Sequence, residues 1–202
     1  MKRILAVFAC LLGLAAPVWA EVAPDALVRG VTDDVLSIVR EDKDLQSGNA
    51  RRAMELVEGK VLPHFNFSHM TALALGRDWS KASAEQKEAL AHEFKTLLVR
   101  TYSNALTQYR DQKIEYKPFR AQAGDTDVTV RTQVMQPGGK AIPIDYSLEK
   151  QGEGWKVYDV VVAGVSLVTT YRETFAQEVR NGGVDGLIKT LATKNAKSAG
   201  AK

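Results

Sequence analysis

Between residues 112 and 163 the spacing of apolar side chains changes from a helical period to strict alternation. Val128, Val130, Thr132 and Val134 alternate with Thr129, Arg131, Gln133 and Met135. Ile142, Ile144, Tyr146 and Leu148 alternate with Pro143, Asp145, Ser147 and Glu149. Lys113–Phe119 and Trp155–Val162 read as two further strands. The turns between them are short, at Pro137-Gly138-Gly139 and Gln151-Gly152-Glu153-Gly154. Alternation with tight turns specifies an antiparallel meander with one face buried. Such a face needs a cover, and the rest of the chain must supply it.

The flanking segments have the helical period. Pro24 suits a first turn, and Leu27, Val31, Val35 and Ile38 or Val39 share one face of a helix over 24–41. Residues 50–62 predict a second helix, with Ala53, Met54, Val57 and Val61 inward and Pro63 as its stop. Residues 66–75 form a short apolar helix ended by Gly76. Ser83-Ala84-Glu85-Gln86 is a capping box that opens a helix running to about Tyr109, with a wide apolar stripe. Residues 166–180 and 184–194 return to helix around Asn181-Gly182-Gly183. The expected fold is therefore α+β, in the order ααααββββαα, with a curved four-stranded sheet covered by about six helices. Residues 21–194 read as one domain, helical over 24–110 and 166–194 with the sheet at 112–163, and 195–202 read as a frayed tail. The space between sheet and helices is a solid core or a pocket; periodicity allows both.

Residues 1–20 stand apart. Met1-Lys2-Arg3 precedes an apolar run from Ile4 to Ala16, then Pro17 and Val18-Trp19-Ala20. This is a secretory signal pattern with cleavage expected after Ala20, and its apolar run is too short to span a bilayer. The full chain of 202 residues carries a net charge of +3. Without Lys2 and Arg3 it has 25 basic against 24 acidic residues, a net charge of +1. The single cysteine, Cys10, leaves with the signal, which suits an oxidising compartment, and the bacterial periplasm is the expected location. Basic residues are mixed with acidic ones all along the chain, so no nucleic-acid partner is expected.

Motifs for chemistry are missing. His64, His69 and His92 are not spaced as helical metal ligands and no cysteine supplements them. Gly164-Val165-Ser166-Leu167-Val168 lacks the last glycine of a nucleophile elbow, and no histidine follows it. Asp145 or Asp159 could act as a base in a sheet-lined pocket, with a surface or turn-supporting role favoured for both. No catalytic residue, metal or cofactor is expected.

Several phrases together carry more. Phe65-Asn66-Phe67-Ser68-His69-Met70 leads to Ala74-Leu75-Gly76-Arg77-Asp78-Trp79, and Phe94 to Tyr102 follows the capping box. Ile144-Asp145-Tyr146 precedes Gly154-Trp155-Lys156-Val157-Tyr158-Asp159-Val160. Gly164 to Val168 leads to Tyr171, Arg172 and Phe175, and Gly183-Val184-Asp185-Gly186-Leu187-Ile188 closes the series. In this order and spacing, over roughly residues 25–193, the chain resembles the MlaC family of periplasmic phospholipid-binding proteins, also known as toluene-tolerance or ABC-transporter auxiliary proteins. The resemblance implies an NTF2-like sheet wrapped by helices, with acyl chains held in an apolar pocket between them. It implies a carrier of phospholipid as cargo, working between an outer-membrane lipoprotein–porin complex and an inner-membrane ABC transporter with its substrate-binding ring component. A monomer without enzymatic activity is expected. Two other functions stay open: an NTF2-like enzyme acting on a small apolar substrate, which would need a titratable group in the pocket, and a periplasmic adaptor with a solid core.

On this reading the candidate lining residues are Phe94, Leu97, Leu98 and Tyr102 on the long helix, Leu73 and Leu75 on the short one, Val130, Val134, Ile144 and Tyr146 on the sheet, and Val165, Leu167 and Val168 after it. Arg100 and Arg172 lie beside Tyr102 and Tyr171 and are candidates for the head-group vicinity.

Overall fold

The computed structural model describes residues 22–200 except 111, 123 and 137. The expected signal segment and the last two residues lie outside the described residues. Six α-helices are named here: α1 (Pro24–Glu41), α2 (Lys43–Gln46), α3 (Ala50–Leu56), α4 (Phe67–Leu75), α5 (Ala84–Tyr102) and α6 (Arg172–Gly200). Five strands form one antiparallel sheet in sequence order: β1 (Lys113–Tyr116), β2 (Asp127–Met135), β3 (Ile142–Gln151), β4 (Gly154–Val162) and β5 (Val165–Ser166).

Local chemistry sets the helix starts. Asn49 and Asn66 accept from the backbone N–H of Arg52 and His69, each at 3.1 Å. Ser83 and Gln86 complete the capping box that opens α5. Asn66 and His69 also bind the two carboxylate oxygens of Glu149 on β3, the His69 contact at 2.9 Å. The Asn66 N–H donates to the Val157 carbonyl of β4 at 2.9 Å. The first turn of α4 is thereby fixed to the sheet.

The sheet brings Val128, Leu148 and Val157 into one cross-strand row and Val130, Tyr146 and Val160 into the next. The register slips between Ser147 and Leu148, so Tyr158 is an extra residue on β4. A bulge of this kind bends the strand and restores phase after an odd step. Val157 and Val160, three residues apart, therefore belong to rows of the same face.

Several features differ from the sequence expectation, among them the short helix α2, which the sequence reading left out. The sheet has a fifth strand: Ala163 (φ 51°) and Gly164 (φ 84°) turn the chain back so that Val165–Ser166 pairs with β4. Two residues are too few to show a period. The helix expected from 166 consequently starts at Arg172, after a 3-10 turn over Thr169–Tyr171. The helix also continues through the segment expected to fray. Asn195 is buried there and its amide donates to the Glu93 carbonyl at 3.0 Å and to its carboxylate at 2.7 Å. Two predicted helices are shortened as well. Residues 57–61 form a π-helix and 62–64 a 3-10 turn after α3, and Ser103–Gln108 is 3-10 after α5. Each keeps the chain helical and the apolar spacing continuous, so the pattern does not mark the change.

The apolar interior falls into three clusters. Phe94, Leu97, Phe175, Leu187 and Leu191 lead one between α4, α5 and α6. Val128, Val130, Leu148 and Trp155 lead a second, on the sheet beneath α1. Val35, Val39, Leu45 and Leu56 lead a third, among α1–α3.

Candidate apolar binding site

Two adjacent cavities open where the three clusters meet. The first measures about 210 Å³. Its walls are Leu98, Val99 and Tyr102 of α5, Phe67 and Met70 of α4, Val57 and Val61 of the π-helix, and Val160 and Leu167 beside the sheet. The second measures about 230 Å³ and lies between α1 and the sheet. Leu27, Val31 and Leu36 face Ile114, Tyr146 and Val157 across it. Val61, Phe65 and Leu106 line both.

The lining is almost entirely hydrocarbon. In the first cavity Tyr102 and Ser103 are the polar side chains, and no carboxylate, histidine, lysine or arginine is among its lining residues. Burial pushes the Tyr102 hydroxyl up to about 12, with the neighbouring Tyr171 adding to the effect. Burial likewise pushes Tyr146 up to about 12 in the second cavity. His64, also in the second cavity, is shifted down by desolvation and by the Lys156 charge, so its neutral form is favoured. Such walls give apolar matter a place free of water and offer little to an ion.

The candidate residues divide by position. Leu98, Tyr102 and Leu167 line the first cavity and Tyr146 the second. Leu75, Phe94, Leu97 and Val168 are fully packed in the helical cluster, with Leu73 against it. Val130 is buried in the sheet cluster. Val134 and Ile144 are half-buried and line neither cavity. Val165 is 57% exposed, because the short β5 carries it at the end of the turn, paired with Val162 at the rim. Neither arginine lines either apolar cavity. Arg172 is exposed and its guanidinium donates twice to the Leu73 carbonyl, at 2.9 and 3.1 Å. It thus satisfies a backbone oxygen that the last turn of α4 leaves unpaired. Arg100 faces a separate polar depression with Arg51, Glu55 and Glu58.

Sequence reasoning assigned no lining role to the π-helix, to Phe65 and Phe67, or to α1. Val57 and Val61 stand out in the sequence only as inward apolar positions. The two phenylalanines belong to the 65–70 phrase, which was the available signal.

The carboxylates considered as bases serve the fold. Asp159 accepts from the Val160 N–H at 2.8 Å and from Ser166 Oγ at 2.9 Å, while Ser166 accepts from the Thr169 N–H at 2.9 Å. Asp145 pairs loosely with Arg131 across β2 and β3, at 3.8 Å. His69 stacks on Tyr158 with ring centroids 4.4 Å apart. Among the described residues no group of three or more His, Cys, Asp or Glu is placed to hold a metal ion. No described helix is long and apolar enough to cross a membrane.

The family model of the MlaC protein matches residues 29–193, from within α1 through the sheet into α6, and takes in most of the residues that line both cavities. The chain belongs to the MlaC family. One relative, the intermembrane phospholipid transport system binding protein MlaC of Haemophilus influenzae, is 28% identical over 175 residues, covering 85% of this chain and 82% of its own. The toluene tolerance protein Ttg2D of Pseudomonas putida is 29% identical over 169 residues, covering 83% of this chain and 78% of its own. A phospholipid-binding protein of Ralstonia solanacearum, solved in complex with a phospholipid, is 43% identical with a TM-score of 0.79. That match covers 87% of this chain and 98% of the solved one. This MlaC-family chain has the α+β fold expected of it, with a fifth strand added.

Proposed function

We propose that this protein is a periplasmic phospholipid carrier that holds its cargo by the acyl chains. The observation that carries the reading is the hydrocarbon-walled space between sheet and helices, in a chain 43% identical to one solved with a phospholipid. A diacyl lipid exposes on the order of 30 methylenes, each worth about 0.8 kcal/mol when buried, so passage through water unprotected would cost roughly 20 kcal/mol or more. An apolar cleft removes that cost while the charged head group stays in solvent. No catalytic group is required, and the polar side chains of the first cavity are the Ser103 hydroxyl and a tyrosine hydroxyl held neutral. The protein then delivers lipid between an outer-membrane lipoprotein–porin complex and an inner-membrane ABC transporter with its substrate-binding ring. With little net charge it meets membranes through these partner proteins rather than by attraction to anionic lipid.

Native mass spectrometry tests the binding. Delipidated protein mixed with vesicles of phosphatidylethanolamine and phosphatidylglycerol is expected to gain the mass of a phospholipid. A mass that stays at the unliganded value at every lipid concentration overturns the reading.

A further inference from the structure

The wall between the two cavities is formed by irregular helical segments and the residue that follows one of them. Val61 ends the π-helix over 57–61, Phe65 follows the 3-10 turn over 62–64, and Leu106 stands on the 3-10 segment over 103–108. The outer sides rest mainly on α1, α4, α5 and the sheet, with Val57, Leu62, His64 and Ser103 of the same irregular segments beside them. Irregular helical segments have weaker hydrogen-bond geometry than α-helix and recur at hinges and functional sites. The wall residues are also only half-buried. Phe65 packs against both the helical and the sheet cluster, whereas Val61 and Leu106 pack against the third. The wall therefore stands at the seam of three separately packed cores and belongs wholly to none.

Size makes that seam matter. Pockets for organic ligands usually measure about 300–1,000 Å³. At about 210 and 230 Å³, neither cavity reaches that range alone, and the two joined would enter it. We infer that Val61, Phe65 and Leu106 form a movable partition, that it withdraws to join the two cavities when a two-chain lipid loads, and that Phe65 sets the barrier. A short single-chain amphiphile occupies one cavity and leaves the partition in place. This rests on the carrier reading above and adds which residues limit loading and for which class of ligand.

The test follows uptake by native mass spectrometry and stopped-flow fluorescence in the wild type, Phe65→Leu, Phe65→Ala and Leu106→Ala. The two probes are dioleoyl-phosphatidylcholine vesicles and a short-chain lysophosphatidylcholine. Phe65→Ala is expected to load the two-chain lipid roughly tenfold faster, what uncovering about half a phenylalanine side chain is worth. Leu106→Ala and Phe65→Leu are expected to move the same way by less, and single-chain uptake, which meets these side chains without moving them, to change by a smaller factor in every variant. A Phe65→Trp protein adds a direct readout, since lipid brominated along the chains should quench it more than the wild type, whose Trp79 and Trp155 set the baseline. Equal two-chain loading rates in the wild type and every variant that keeps its near-ultraviolet circular dichroism overturn the partition. So does equal acceleration for both probes, or quenching in loaded Phe65→Trp protein no greater than in the loaded wild type. A wild type that takes up neither probe overturns the carrier reading instead.

Discussion

Phe94 and Leu98 lie four residues apart on one stripe of α5, and their neighbours give them different work. Phe94 is fully buried, with edge-on contacts to Tyr171 and Phe175 at centroid distances of 5.2 Å. Phe94→Ala should cost about 3–5 kcal/mol of stability, read as a lower urea midpoint, because the helical cluster cannot close over the gap. Leu98 looks into the first cavity. Leu98→Arg should leave the protein soluble and abolish phospholipid uptake, since an unpaired charge in an apolar space costs far more than the lost contact. Unchanged lipid content in native mass spectra would remove Leu98 from the binding surface. Arg172→Ala should cost about 1–2 kcal/mol through the unpaired Leu73 carbonyl and leave uptake unaltered. If uptake falls while stability holds, Arg172 acts near the head group after all. Periodicity could not distinguish Phe94 from Leu98. An apolar side chain has the same spacing whether it meets another side chain or a void, and Arg172 shows only its charge in a sequence, never the carbonyl it serves.

At the scale of elements, the regular pieces were legible and the irregular ones were not. Pro24 and the apolar stripe of α1, the capping box of α5 and the alternation of β2 and β3 each carry a local signal strong enough to stand without tertiary context. The bulge at Tyr158 and the two-residue β5 have no such signal, because one extra residue or one pairing step is decided by neighbouring strands. The π and 3-10 segments continue an apolar pattern that α-helix would also satisfy. Gly183 is an element-scale feature that the sequence did announce, as a break before the last helix. Its backbone has φ 68° and ψ −173°, a region open in practice to glycine, and it redirects α6 so that Leu187 and Leu191 join the helical cluster. Gly183→Ala should lower stability by about 1–3 kcal/mol in urea unfolding. Gly182→Ala is the control. That glycine has ordinary backbone geometry and open space where a methyl would sit, so the substitution should be neutral or stabilise by up to about 1 kcal/mol. Equal effects at the two positions would mean that the kink does not hold α6 in place.

For the whole molecule, a divided interior predicts an alkaline weakness. Tyr102, Tyr146 and Tyr158 each have hydroxyls raised from 10.0 to about 12, chiefly by burial. The folded state thus keeps these protons at pH values where the unfolded chain has released them. Stability from this source is fully present below pH 10 and is lost as the pH rises through about 12. Urea midpoints taken from pH 8 upward should be level at first and then fall, with phenolate absorbance for these residues appearing together with unfolding. Tyr146→Phe should flatten the fall, because it removes a group that must ionise in the unfolded chain alone. Lipid adds a second linkage. Cargo that binds only the folded state stabilises it, and cargo in the first cavity further dries the Tyr102 hydroxyl while leaving Tyr158, which lines neither cavity, as it was. Loaded protein should therefore hold its midpoint to higher pH than empty protein. That extra resistance should shrink in Tyr102→Phe and persist in Tyr158→Phe. If loading gives the same gain in both variants, cargo does not reach the end of α5, and the binding space has to lie on the α1 side of Phe65.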